Sequence, residues 1–137
     1  MDNDFEWKET YSVRCKRIDN QHKELFKNIS ALFHAITEQS KKKDLIKILE
    51  DLITYTTYHF ATEEEYFELF EYEDAEAHKQ KHQYFMNAMH ELQEKCISPE
   101  ECDISYELVD YLEDWLLEHV CVDDRKYIAC FTSHGLT

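Results

Sequence analysis

Residues 45–70, LIKILEDLITYTTYHFATEEEYFELF, decide how this chain folds. Leu45, Ile48, Leu49, Leu52, Tyr55, Tyr66 and Phe70 recur at three- and four-residue steps, the period of an α-helix that turns one face to a core. The same face carries His59 and, four residues later, Glu63. A step of four returns to within about 40° of the starting direction after a rise of about 6 Å, so these two side chains leave the helix as neighbours. The expectation is a helix over about 44–71 with an imidazole and a carboxylate on its buried side.

Upstream, Ile18, Leu25, Phe26, Ile29, Leu32, Phe33 and Ile36 form a second stripe that contains His22, a helix over about 19–40 with Asp19 near its start to cap it. The run Lys41-Lys42-Lys43 reads as solvated connection. Downstream of an acidic turn around Glu73 and Asp74, His78, His82, Phe85, Met89, Leu92 and Cys96 alternate by fours and threes, a helix over about 75–96. Beyond a loop around Pro99, Leu108, Leu112, Trp115, Leu116 and His119 mark a helix over about 104–131, with room for a break after His119. Residues 1–17 hold Phe5, Trp7 and Tyr11 without a sustained period and read as an arm that lays its rings against one end of the core.

With one Gly and one Pro in 137 residues, tight turns between many strands are disfavoured. Four long helices with short connections imply an all-α fold, an antiparallel up-down-up-down four-helix bundle with an N-terminal arm. The length implies one domain, residues 1–137, able to bury roughly two thirds of the surface its unfolded chain exposes.

A formal net charge of -15 argues against nucleic acid as a partner, which calls for clustered Lys and Arg, and against an anionic membrane surface. No stretch approaches the roughly 20 apolar residues that span a bilayer. The start, MDNDFEWKE, is acidic where a signal peptide has a basic region and an apolar run, so a soluble cytoplasmic protein is expected. Cys15, Cys96, Cys102, Cys121 and Cys130 are odd in number and form no C-x-x-C pair. They read as ordinary thiols in a reducing compartment; Cys96 and Cys102 bracket the Pro99 loop, but their pairing ranks behind free thiols.

The chemistry lies in His22, His59 with Glu63, His78 with His82, and His119 with Asp123 or Asp124. A lone histidine on an apolar stripe is more often a hydrogen-bonded core residue than a ligand. Here the feature recurs on all four helices, and burying several imidazoles and carboxylates together is costly unless a metal or a dense network compensates. Asp124 follows His119 by five, about 140° around a regular helix, so periodicity favours Asp123 unless the helix is broken there. Five imidazoles and two carboxylates exceed a tetrahedral zinc site and are too few in carboxylate for a calcium cage. Two octahedral ions fit better. With both carboxylates and a solvent-derived oxygen as bridges, the ion with three histidines is full and the ion with two keeps one open position.

These residues resemble the hemerythrins, closest to the single-domain bacterial kind. The likeness covers almost the whole chain: F-x-W and Y-S-V in the arm, I-D-N-Q-H-K-E-L-F around His22, H-F-A-T-E-E from His59, H-K-Q-K-H from His78, and W-L-L-E-H-V-C-V-D-D-R-K-Y from Trp115. The resemblance implies two iron ions (Fe2+/Fe3+) with a bridging oxo or hydroxo group. His78, His82 and His119 correspond to ligands of the saturated iron, His22 and His59 to those of the open iron, and Glu63 and Asp124 to the bridges; the family's H-x-x-x-x-D spacing selects Asp124. It further implies Leu116 as an apolar lid over the oxygen pocket, Trp115, Val120 and Ile29 as its walls, and Tyr127 as an orienting partner of Asp124.

The implied function is reversible dioxygen binding for storage, delivery or sensing, without enzymatic turnover; nitric oxide or another small anion is a further candidate at the open iron. The alternative is a di-iron redox enzyme (oxidase, peroxidase or nitric-oxide handling) or an iron store. Ferritin-like oxidases use Glu-x-x-His pairs and more carboxylates, which this donor set lacks. The chain departs from the family pattern at Arg14-Cys15, where a glycine usually follows Y-S-V, and at Phe67, in place of a frequent methionine. His34, His90 and His134 have no ligand counterpart and are expected at the surface. Of the acidic runs Glu63 to Glu65 and Glu71 to Glu76, Glu63 alone is expected to turn inward.

Overall fold

The stripes become four long helices and a short fifth in a computed structural model that describes residues 5–98, 100 and 102–137: α1 Lys16–Thr37, α2 Lys42–Leu69, α3 Ala75–Lys95, α4 Tyr106–Glu118 and α5 Ile128–Ser133. Residues 1–4 of the expected arm and Pro99 lie outside the described residues. α1 packs on α2 and on α4, and α2 packs on α3, giving the expected all-α up-down-up-down bundle with no strand among the described residues. The first three helices begin and end within a few residues of expectation. The fourth does not run on to 131: α4 stops at Glu118, a π turn covers His119–Asp123, a 3-10 turn covers Asp124–Tyr127, and α5 follows. Among the described residues no helix is long and apolar enough to cross a membrane.

The main core gathers Leu25, Ile29 and Leu32 of α1, Leu49 and Leu52 of α2, Phe85 and Met89 of α3, and Leu112 and Leu116 of α4. A second core of Val13, Cys15, Ile18, Phe67, Tyr72, Tyr127 and Phe131 fills the end beneath the broken segment. The arm behaves as its aromatic content suggests: Phe5 stacks on Phe26 with ring centroids 4.5 Å apart, and Lys23 Nζ sits 4.6 Å over the Trp7 ring.

Asp19 does not cap α1, because the helix starts three residues earlier at Lys16. From the first turn it instead accepts hydrogen bonds from the Ser12 hydroxyl (2.6 Å) and the Val13 N–H (2.8 Å), fastening the arm to the helix. The connection requires Arg14 at φ 64, the left-handed region that costs a residue with a Cβ roughly 1–2 kcal/mol. Arg14 thus stands where a glycine would be unstrained. Arg14→Gly should stabilise the fold by about 0.5–1 kcal/mol, the relieved strain less the extra freedom of glycine in the unfolded chain. A denaturation midpoint that fails to rise would mean that the arginine side chain offsets its own strain.

The cysteine expectation is corrected at one pair. Cys96 and Cys102 form a disulfide, their Cα atoms 4.3 Å apart, because the chain leaving α3 doubles back at once and buries both residues. Lys42 Nζ donates to the Cys102 carbonyl and ties this hairpin to the start of α2. Cys15, Cys121 and Cys130 are free thiols.

Candidate metal centre

All seven sequence-selected donors meet between the two cores, each at most 5% exposed. Ligand atoms of His22, His59, Glu63, His119 and Asp124 lie within 4.8 Å of one another, as do those of Glu63, His78, His82 and His119. The π turn decides which of the two aspartates faces the cluster. Its i→i+5 hydrogen bond, from the Asp124 N–H to the His119 carbonyl, inserts one residue into the turn and brings Asp124 over His119. Asp123 is displaced to the side and pairs with Lys81 Nζ at 2.6 Å.

Each inward carboxylate directs one oxygen to either histidine set. Asp124 Oδ2 lies 2.8 Å from His22 Nε2, and its Oδ1 lies 3.0 Å from His78 Nε2. Glu63 Oε1 lies 3.0 Å from His82 Nε2, and its Oε2 lies 3.6 Å from His59 Nε2. His119 stands between the sets, its Nε2 3.2 Å from that of His59 and 2.9 Å from Asp124 Oδ2. Glu63 Oε1, Asp124 Oδ1, His78 Nε2 and His82 Nε2 are buried, and although they approach one another to 3.0 Å none is aligned in a hydrogen bond. Native proteins seldom leave buried polar atoms so, and a cluster of them among imidazoles and carboxylates suits cations. The donor set of imidazole nitrogen and carboxylate oxygen fits iron.

An outer layer aims the rings, and sequence reading missed most of it. The His82 Nδ1–H donates to Glu64 Oε2 at 2.8 Å; a carboxylate only accepts, so Nε2 keeps its lone pair for the centre. Glu64 therefore also turns inward, against the expectation that Glu63 alone does. His59 Nδ1 is 2.7 Å from Gln21 Oε1, whose amide nitrogen donates to Thr62 Oγ1 at 3.1 Å, which fixes the Gln21 oxygen as acceptor and His59 Nε2 as the free lone pair. The only signals for these partners were adjacency to His22 and Glu63, which chains share with countless solvated polar residues. Tyr127 donates to Glu63 Oε2 at 2.6 Å, so the carboxylate it orients is Glu63 rather than Asp124.

Around this layer lie aromatic rings. Phe60 stacks on His82 at 3.7 Å, Trp115 on His119 at 5.0 Å, and Phe67 meets His78 edge-on at 4.8 Å. Phe67 consequently backs the His78 side, away from Leu116, Val120 and Ile29, which are enclosed in the main core. His34, His90 and His134 are exposed, as expected.

Burial holds His22 neutral, well below the ordinary imidazole value, and pushes His59 down to about 3. Burial and the Glu63 carboxylate raise Asp124 well above the usual range. Burial acts upward on Glu63 too, but the His59 and His119 imidazoles outweigh it and hold that carboxyl low. The consequence for metal-free protein has a definite sign. Below pH 6.5 the unfolded chain takes protons on His22 and His59 that the folded chain refuses, while Asp124 keeps one that the unfolded chain lacks. The two imidazoles outweigh the one carboxyl, so stability should fall as the pH is lowered from 6.5 to 4.5. Urea midpoints of the chelated protein at those pH values check this; a flat profile would mean that the imidazoles protonate inside the fold.

Comparison with known proteins agrees with this geometry. A sequence model of the Hemerythrin HHE cation binding domain matches residues 15–131. The chain is similar to a bacteriohemerythrin of Clostridium acetobutylicum, 27% identical over 127 residues that cover 90% of this chain and 98% of the relative. It is also similar to a bacteriohemerythrin of Pseudomonas aeruginosa, 33% identical over 89% of this chain and 78% of the relative. Among solved structures, a wild-type hemerythrin crystal structure superposes with a TM-score of 0.85 at 27% identity, covering 90% of this chain and 95% of that one.

Proposed function

Since the chain belongs to the hemerythrin family, we propose that it binds dioxygen reversibly at two irons held by His22, His59, Glu63, His78, His82, His119 and Asp124. The observation that carries the reading is the set of four buried donor atoms, none in an aligned hydrogen bond, gathered among the histidines. We assign His78 and His82 to one iron, His22 and His59 to the other, and Glu63 and Asp124 to both, because each carboxylate faces one oxygen to either group; His119, which borders both groups, goes with His78 and His82 by resemblance to the family. Two irons there would supply electrons for reversible dioxygen capture at the one position the donors leave open.

The protein's own part is positioning and exclusion. Gln21 and Glu64 hold the His59 and His82 rings with their lone pairs inward. Tyr127 keeps its proton, because burial and the neighbouring Asp124 and Glu63 carboxylates raise it well above the ordinary phenol value, and so it stays a donor to Glu63. Leu116, Val120 and Ile29 close the apolar side against water. A carrier rather than an enzyme is favoured because the nearest outer carboxylates are engaged, Glu64 with His82 and Asp123 with Lys81, leaving neither free as a general base.

The test is anaerobic loading with iron(II), exposure to oxygen, then flushing with argon. A visible charge-transfer band that appears and reverses supports reversible binding. No band, or steady oxygen consumption with a reductant, overturns it.

A further inference from the structure

The π turn that brings Asp124 inward leaves Asp123, the residue a regular helix would have placed beside His119, at the flank of the site. There its side chain is 10% exposed and lies 2.6 Å from Nζ of Lys81, which α3 presents between His78 and His82 in the sequence. The pair stands between two surface clefts. One, of about 220 Å³, reaches Tyr72 and His78; the other, of about 210 Å³, reaches Trp115 and Glu118; Lys81 and Asp123 line both.

We propose that Lys81 is a positioning residue for the metal centre: its ion pair with Asp123 pins the π turn in the register that aims Asp124 inward and keeps the wall between the two clefts closed. The proposal rests on the di-iron reading above. Ion pairs between exposed side chains contribute little, and Lys81 is half exposed. Asp123 is not: without the ammonium, a largely enclosed carboxylate would lie unpaired beside Asp124. Turning it out to solvent drags the backbone it shares with Asp124. Relaxing the turn to i→i+4 bonding brings Asp123, not Asp124, alongside His119. Either movement loosens the carboxylate shared by the two histidine groups and opens His78 to water. Tyr72 Oη, buried at the same cleft without a hydrogen-bond partner, marks a place where entering solvent would be held.

The experiment times iron loss from the full-length, anaerobically loaded protein to an excess of an iron(II) chelator, for the native chain, Lys81→Met, Lys81→Arg and Asp123→Asn. Lys81→Met and Asp123→Asn should release iron about tenfold faster, the effect typical of losing an outer partner of a metal ligand. Lys81→Arg, which restores the cation, should release at close to the native rate. The melting temperature of metal-free Lys81→Met should fall by no more than about 2–4 °C. Native release rates in Lys81→Met, failure of arginine to rescue, or a larger loss of metal-free stability would each overturn the proposal while leaving the di-iron reading intact. A native chain that retains no iron would overturn both.

Discussion

Glu63→Gln should fold and lose both irons. Glu63 is fully buried in the C-terminal part of α2, within 3.9 Å of the Nε2 atoms of His59, His78, His82 and His119. In metal-free protein the substitution is gentle: glutamine has the same shape, its carbonyl oxygen still accepts from Tyr127, and a buried negative charge disappears. Stability should therefore change by about 1 kcal/mol or less, in either direction. Toward metal the change is severe, since a neutral amide offers one weak donor oxygen where a carboxylate gave each iron an anionic one. The loss should exceed the roughly 10–100-fold cost of removing an outer partner of a ligand. Metal analysis after gel filtration, beside far-ultraviolet circular dichroism, separates the two effects. A variant that keeps its helices and still carries two irons would remove Glu63 from its shared position.

Why Glu63 could be read from the sequence, and its outer partners could not, follows from helix geometry. His59 with Glu63 and His78 with His82 are i,i+4 pairs on apolar stripes, and a regular helix leaves them no direction but inward. His22 and His119 sit on stripes of the same kind. Asp124 obeys no such rule. Its direction depends on the i→i+5 turn after His119, and nothing in H-V-C-V-D-D announces a π turn; only likeness to a family selected it. Gln21 and Glu64 occupy the edges of their stripes, where a side chain is settled by what the neighbouring helix offers. Lys81 and Asp123 are 42 residues apart, a pairing no local period can propose. Arg14 was legible as a departure, and the structure supplies the reason in its positive φ. The Cys96–Cys102 link depended on how sharply the chain reverses after α3, which cysteine spacing alone did not disclose.

Leu116→Ala should keep both irons and shorten the life of the oxygen-binding state. Leu116 is fully enclosed, one helical turn before His119, and shares the main core with Ile29 and Val120. Cutting it to a methyl group leaves a cavity beside polar ligand atoms, the kind of space that water enters because it finds partners there. Water and the protons it carries would reach the centre, and autoxidation should accelerate by about tenfold or more, a barrier change of about 1.4 kcal/mol. The same truncation also costs about 2–5 kcal/mol of stability through lost packing, so a faster rate could reflect a loosened bundle. Leu112→Ala separates the causes: Leu112 is equally buried on α4 but one turn further from His119, so its loss should destabilise to a similar degree with autoxidation near the native rate. Equal acceleration in both variants would assign the effect to general loosening and take the lid role from Leu116. Acceleration in Leu116→Ala alone would locate the water barrier at that side chain.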